Sequence, residues 1–192
     1  MSRRDHRSIG ICRICAAVVA VALIPAVPSA AAESVMEKTG VGSALGLAPT
    51  GTDVLTEIHQ FDLFERQADD TAQMRGDDGL KQFSIERADN AKKQDQQLAE
   101  LKDKAGVQVT FSEEPSVTRS NRLAGLQGAV GEDYVRKYYE AQVAEHDSAL
   151  SVLRRYLKKP DNARIKSYAA KQIPALEASQ QIAKENWKRT SH

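Results

Sequence analysis

The chain has 192 residues, with 27 Lys and Arg against 26 Asp and Glu, a formal net charge of +1, and only 5% aromatic residues. That length supports one domain whose core closes without covalent staples. The near-neutral balance, with no basic block carrying interleaved aromatics, excludes a nucleic-acid partner, and the low aromatic content suits an Ala- and Leu-lined helical bundle better than a β-sandwich.

Residues 1–32 read as a secretory signal. Arg3, Arg4, Arg7 and Arg13 precede an apolar run from Ile14 to Pro25, and VPSAAAE then offers small residues for cleavage after Ala31 or Ala32. The run is short for a membrane span. The alternative is an uncleaved anchor over Ile14 to Ala32, against which Pro25 and Pro28 stand as helix breakers. Both cysteines, Cys12 and Cys15, lie in this segment, and neither stands where a lipoprotein attachment cysteine would. The mature chain is therefore expected to carry no disulfide or thiol chemistry. Cleavage removes four Arg and one Asp, so 27 − 4 = 23 basic and 26 − 1 = 25 acidic side chains remain, a net charge of about −2. No later apolar run nears the length of a span, so the mature chain is expected to be soluble and periplasmic, with outer-membrane association as an alternative address.

Residues 33–51, rich in Gly, Ser and Ala, read as a flexible lead. A bundle domain is expected over 52–188, followed by a short tail at 189–192. Its first helix, capped by Thr52 or Asp53, places Val54, Ile58, Phe61, Glu65, Ala68 and Ala72 on one stripe and ends near Gly76. Asp77 or Asp78 caps a second helix, from about Gly79 to Ala105, anchored by Leu80, Phe83, Ala91, Leu98 and Leu101 and closed by Gly106. GVQVTF alternates briefly but has no strand partner elsewhere, so it reads as an extended connector. Ser116 to Val130 makes a short helical lead-in to the third long helix.

That third helix, Gly131 to Leu157, organises the rest. Steps of four and three from Val135 give Tyr139, Gln142, His146, Ala149, Leu153 and Tyr156, a seam apolar at both ends and polar in the middle. A fourth helix, from about Asp161 to Lys188, carries Ile165, Ala169, Gln172, Leu176, Ser179 and Ala183, with Pro174 inside it predicting a kink. Four long helices joined by short or modest connections predict an all-α, up-and-down four-helix bundle with a short extra helix before the third.

Glu65, Asn90, His146 and Ser179 lie near the midpoints of the four long helices and so predict a central polar layer. A buried carboxylate beside a histidine is costly unless paired or bound to a cation. Two readings follow: a hydrogen-bonded layer that fixes helix register, with His146 bonded to Glu65 or Asn90, or a metal site. Paired Glu-x-x-His motifs, which a di-iron bundle needs, are missing; Glu86 to Asp89 supplies only a carboxylate pair at that spacing. His59 and Asp62 fall off the apolar stripe and read as an exposed pair. Tyr134, Tyr138 and Tyr139 read as packing against the fourth helix. No nucleophile with a base, and no phosphate loop, is visible.

The segment GEDYVRKYYEAQVAEHDSAL resembles the third-helix signature of the exported bacterial family called domain of unknown function 4142, whose members are ferritin-like helical bundles often labelled predicted outer membrane proteins. LKQFSIERADNAKKQDQQL resembles that family's second helix, and SYAAKQIPALEASQQIA its fourth, proline included. The resemblance implies a ferritin-like bundle in the cell envelope. It also implies a histidine after the second-helix aspartate and another in the fourth helix. Here Asp89 matches that aspartate, Asn90 and Ser179 replace the two histidines, and Glu65 matches a first-helix glutamate. The expectation is a non-enzymatic envelope or binding protein without cofactor, with self-association in the envelope an open partnership. The alternative is a ferritin-like metal or redox protein using His146, Glu65 and Asp89.

Overall fold

A computed structural model describes residues 48–190 of the chain. The expected signal peptide and most of the expected lead lie outside the described residues. Among the described residues five helices follow in order: α1 Gly51–Arg75, α2 Asp78–Ala105, α3 Val117–Gln127, α4 Gly131–Lys158 and α5 Ala163–Thr190. No strand occurs among the described residues, and Val107, Val109 and Phe111 of GVQVTF instead pack as partly buried side chains against the core.

Local chemistry sets the helix ends. Thr50, rather than Thr52 or Asp53, caps α1: its Oγ accepts from the Asp53 N–H at 3.2 Å, and the Asp53 carboxylate accepts from the Thr50 N–H at 2.8 Å, a reciprocal capping box. Asp77 caps α2 by accepting from the Leu80 N–H at 2.8 Å. Gly106, at φ 69°, ends α2 in the left-handed region that a residue with a Cβ adopts only under strain. The Asn162 side chain accepts from the N–H groups of Arg164 and Ile165 at the start of α5, and that helix runs on through Pro174 to Thr190.

The helix directions correct the expected alternation. The Gly51 N–H donates to Asp161 at 3.0 Å, so the start of α1 meets the end of α4. The Asn162 amide donates to the Ala105 carbonyl at 3.1 Å, so the end of α2 lies at that same end of the bundle. At the opposite end Arg75 donates to the Gln127 carbonyl at 2.5 Å, beside the start of α4. The long helices therefore run up, down, down, up. The stretch 106–130 carries the chain back along the bundle, held to α1 where the Gln60 amide donates to the Glu114 carbonyl and the Ser116 N–H donates to Gln60 Oε1.

The expected stripes pack inward, in two apolar clusters. Val54, Leu55, Ile58, Leu98, Leu150, Leu153 and Ile165 fill one, and Phe64, Ala68, Ala72, Leu80, Leu126, Tyr134, Tyr138 and Ala183 the other. A band of buried polar side chains lies in the same interior.

Candidate functional site

Four helices line a cavity of about 370 Å³. α1 contributes Phe61, Asp62 and Glu65; α2 contributes Arg87, Asn90, Ala91, Lys93, Gln94 and Gln97; α4 contributes His146; α5 contributes Gln172, Ala175, Leu176 and Ser179. All four residues of the expected polar layer thus border one space, although not as one hydrogen-bonded layer. Glu65 and His146 are buried and Ser179 is half-buried, whereas Asn90 is exposed at the rim. Asp89 is exposed and is not part of the lining.

His146 is 1% exposed, and its hydrogen bond goes to neither Glu65 nor Asn90. Its Nδ1 donates to the Gln142 carbonyl one turn back on α4, at 2.7 Å. That bond fixes the tautomer and leaves Nε2 as the ring's acceptor. Burial, aided by the positive charge of Arg87, pulls the imidazole down to about 3, so it is neutral at ordinary pH. The ring also stands edge-on to Phe61, with centroids 5.0 Å apart.

Glu65 has a partner that the sequence reading did not assign. The Arg87 guanidinium closes on its carboxylate, lies 3.9 Å from Asp69 through Nε, and sits over the Phe83 ring at 5.2 Å. Asp69 in turn accepts from the Tyr138 hydroxyl, and burial raises its carboxyl to about 8. The tyrosines are therefore not simply packing for α5. Tyr138 reaches α1, and Tyr139 lies against Phe83 of α2 at 6.0 Å.

His59 and Asp62 are buried, not an exposed pair, and they do not bond one another. The His59 Nε2 donates to the Ser112 carbonyl at 2.7 Å, Nδ1 lies 2.8 Å from Asp95, and the ring stacks on Phe111 at 4.5 Å. Asp62 is 0% exposed, and neither of its oxygens has a hydrogen-bond partner among the described residues. Burial, with the nearby charge of Asp95, raises its carboxyl well above the ordinary range, against the pull of Arg66.

A second buried ion cluster lies away from the cavity. Arg119 of α3 bonds Glu145 of α4 and Glu57 of α1, each at 2.6 Å, and Arg122 also reaches Glu145. This cluster fastens the returning segment onto the two helices it crosses. The sequence reading missed it, as it missed Arg87.

The donor set does not fit a metal ion. Among the described residues no three of His, Cys, Asp and Glu come together as a metal site requires. Glu65 is already met by a guanidinium, and Asp89 is exposed and outside the cavity lining. The lining is mixed: Asp62 and Glu65 stand beside Arg87 and Lys93, with His146 and the amide side chains of Asn90, Gln94, Gln97 and Gln172.

Fold and site together define an all-α helical bundle with a polar cavity among its four long helices. The family model described as "Domain of unknown function (DUF4142)" matches residues 36–185, and the chain belongs to that family. Neither the curated proteins nor the solved structures give a match. No helix among the described residues is long and apolar enough to cross a membrane.

Proposed function

We propose that the protein is an exported, non-enzymatic binding protein of the cell envelope, built on a ferritin-like bundle, and that the four-helix cavity is its binding site. The observation carrying the reading is the cavity itself, about 370 Å³ between the four long helices and lined by polar and charged side chains, Glu65, Arg87, Lys93 and His146 among them. The volume falls in the lower part of the range of roughly 300–1,000 Å³ that small-molecule sites occupy. One crossover connection between two helix hairpins supports the ferritin-like kinship.

The non-enzymatic reading rests on the base. A general base works best with a pKa near the operating pH, and His146 is held at about 3, with its Nδ1 spent on a backbone carbonyl rather than on an orienting carboxylate. The arginine-rich start, apolar run and VPSAAAE support export.

The test is nuclear magnetic resonance of the labelled mature protein against a fragment library spanning neutral, acidic and basic compounds. Hits are expected to shift resonances of the cavity wall and to be lost in Ser179→Trp, which fills the cavity from α5. Binding that survives Ser179→Trp places the site elsewhere and refutes the reading.

A further inference from the structure

We propose that the corner between α4 and α5 is a docking surface for anionic lipid headgroups, on which the bundle sits end-on. The surface is separate from the cavity. Its basis is an uneven charge: the described residues carry 22 Lys and Arg against 23 Asp and Glu, yet residues 154–166 hold six of those cations against Asp161 alone. The remainder is 22 − 6 = 16 basic and 23 − 1 = 22 acidic side chains, so a corner of formal charge +5 adjoins a body of −6. Helix dipoles account for only part of this. Arg155 and Lys158 lie in the last turn of α4, where a cation meets the negative end of the helix. Arg164 and Lys166 lie at the start of α5, where the dipole favours an acid and the first turn has none.

The charge is not spent within the protein. Arg154 pairs with Glu177 at 2.7 Å, whereas Lys158, Lys159, Arg164 and Lys166 are exposed and make no ion pair among the described residues. The acids of this end are engaged. Asp161 accepts from the Gly51 N–H at 3.0 Å and the Tyr156 hydroxyl at 2.8 Å, Asp53 caps α1, and Glu100 pairs with Lys104 at 2.8 Å. Asp161, with Asn162 on the Ala105 carbonyl, ties the corner to the ends of α1 and α2, so the cations extend from a fixed backbone. The corner has no exposed large apolar residue of the kind that anchors a protein interface. Its rings are not free to stack on a base: Tyr156 is buried, and Tyr168 is half-buried with its hydroxyl bonded to Gln94. Charge alone remains, spread over one end of the bundle, and a layer of lipid phosphates matches it.

Flotation of the mature protein with vesicles tests this. The protein is expected to bind vesicles rich in phosphatidylglycerol, to ignore vesicles of phosphatidylcholine alone, and to be released by high salt. Each Lys or Arg at an anionic surface contributes about fivefold in affinity, so the combined Lys158→Gln, Lys159→Gln, Arg164→Gln and Lys166→Gln variant should bind at least about twenty-five-fold more weakly, the loss of two full contacts. A control with the same change in net charge, Lys81→Gln, Lys92→Gln, Lys188→Gln and Arg189→Gln, should keep most of the affinity. An equal loss in the control would show that the vesicle reads net charge and not the corner. Equal binding to phosphatidylcholine overturns the lipid assignment, and so does binding to polyglutamate without binding to vesicles, which would make the partner an acidic protein. Binding to neither overturns the docking surface itself. Ser179→Trp, which fills the cavity, should leave vesicle binding unchanged, so this proposal and the cavity reading fail separately.

Discussion

Replacing Arg87 with methionine is the most direct probe of the buried charge. The side chain is 10% exposed, and the Glu65 side chain it meets is 2% exposed, so neither can turn to water without opening the bundle. Truncating one member of such a pair leaves the other charge buried and alone, which costs about 3–5 kcal/mol. The contact over Phe83 adds a smaller loss. For a domain of this size each kcal/mol lowers the melting temperature by roughly 2–4 °C, so the loss should be about 6–20 °C. Urea unfolding measures the free energy directly, provided the m-value is unchanged. The double variant Arg87→Met with Glu65→Gln should recover most of the loss, because the stranded charge goes with its partner. A cost below about 1 kcal/mol for Arg87→Met, or no recovery in the double variant, would show that the guanidinium is not what makes Glu65 tolerable in the interior.

Further outcomes are expected. Arg119→Met should cost about 1–3 kcal/mol, since Glu145 keeps Arg122 but loses its second cation, with loss of amide protection in 106–130 ahead of the rest; uniform protection loss would mean the cluster does not fasten that segment. Mass spectrometry of the native protein should find a first residue near Ala32 or Glu33, and an intact Met1 would rule out cleavage. Zinc, manganese or ferrous iron should leave the melting temperature unchanged, since a ligand binding only the folded state raises it by mass action; a clear rise that vanishes in His146→Leu would restore the metal reading. His146, at about 3 folded against 6.5 unfolded, binds fewer protons in the folded state between those values. Its contribution to stability is therefore complete above about pH 6.5 and is lost as pH falls towards 3, with a slope of up to about 1.4 kcal/mol per pH unit. The stability gap between wild type and His146→Leu, measured by urea unfolding, should shift in favour of the variant as pH falls from 6.5, and a gap constant with pH would contradict the buried neutral ring.

Helix positions and inward faces were legible because they depend on local chemistry and period. Val54, Ile58, Phe61, Glu65, Ala68 and Ala72 form a stripe at helical spacing and are all buried. Gly106 and Asp77 marked the ends of α2 for reasons that act within one turn. Helix direction was not legible in the same way. Alternation was the expectation because connections looked modest, yet residues 106–130 include a helix of 11 residues and span the length of the bundle. What decides the path is long-range bonding, such as Gln60 to Glu114 and Ser116, and no local pattern encodes it.

The site was legible at His146, Glu65 and Ser179, which interrupt apolar stripes, and misread where a charged residue takes an apolar position in a stripe that is otherwise complete. Arg87 stands in phase with Leu80, Ala91 and Leu98 on α2, and Asp62 and Asp69 continue from Leu55 in steps of seven on α1. Arg87 and Asp69 were passed over, and Asp62 was read as exposed beside His59, because a long or charged side chain is normally assigned to the solvent face. Phase is the better guide when charges of both signs fall in phase on neighbouring helices, since each sign then makes the other's burial affordable. Arg87 with Glu65 satisfies that condition, as does Arg119 with Glu57 and Glu145. Asp62 does not, for its nearest opposing charge, Arg66, is committed to Asp95 at 3.3 Å. A carboxyl that is in phase, buried and without its own cation holds its proton instead, in keeping with the rise of Asp62 well above the ordinary carboxylate range, so its burial is met by neutralisation and not by an ion pair.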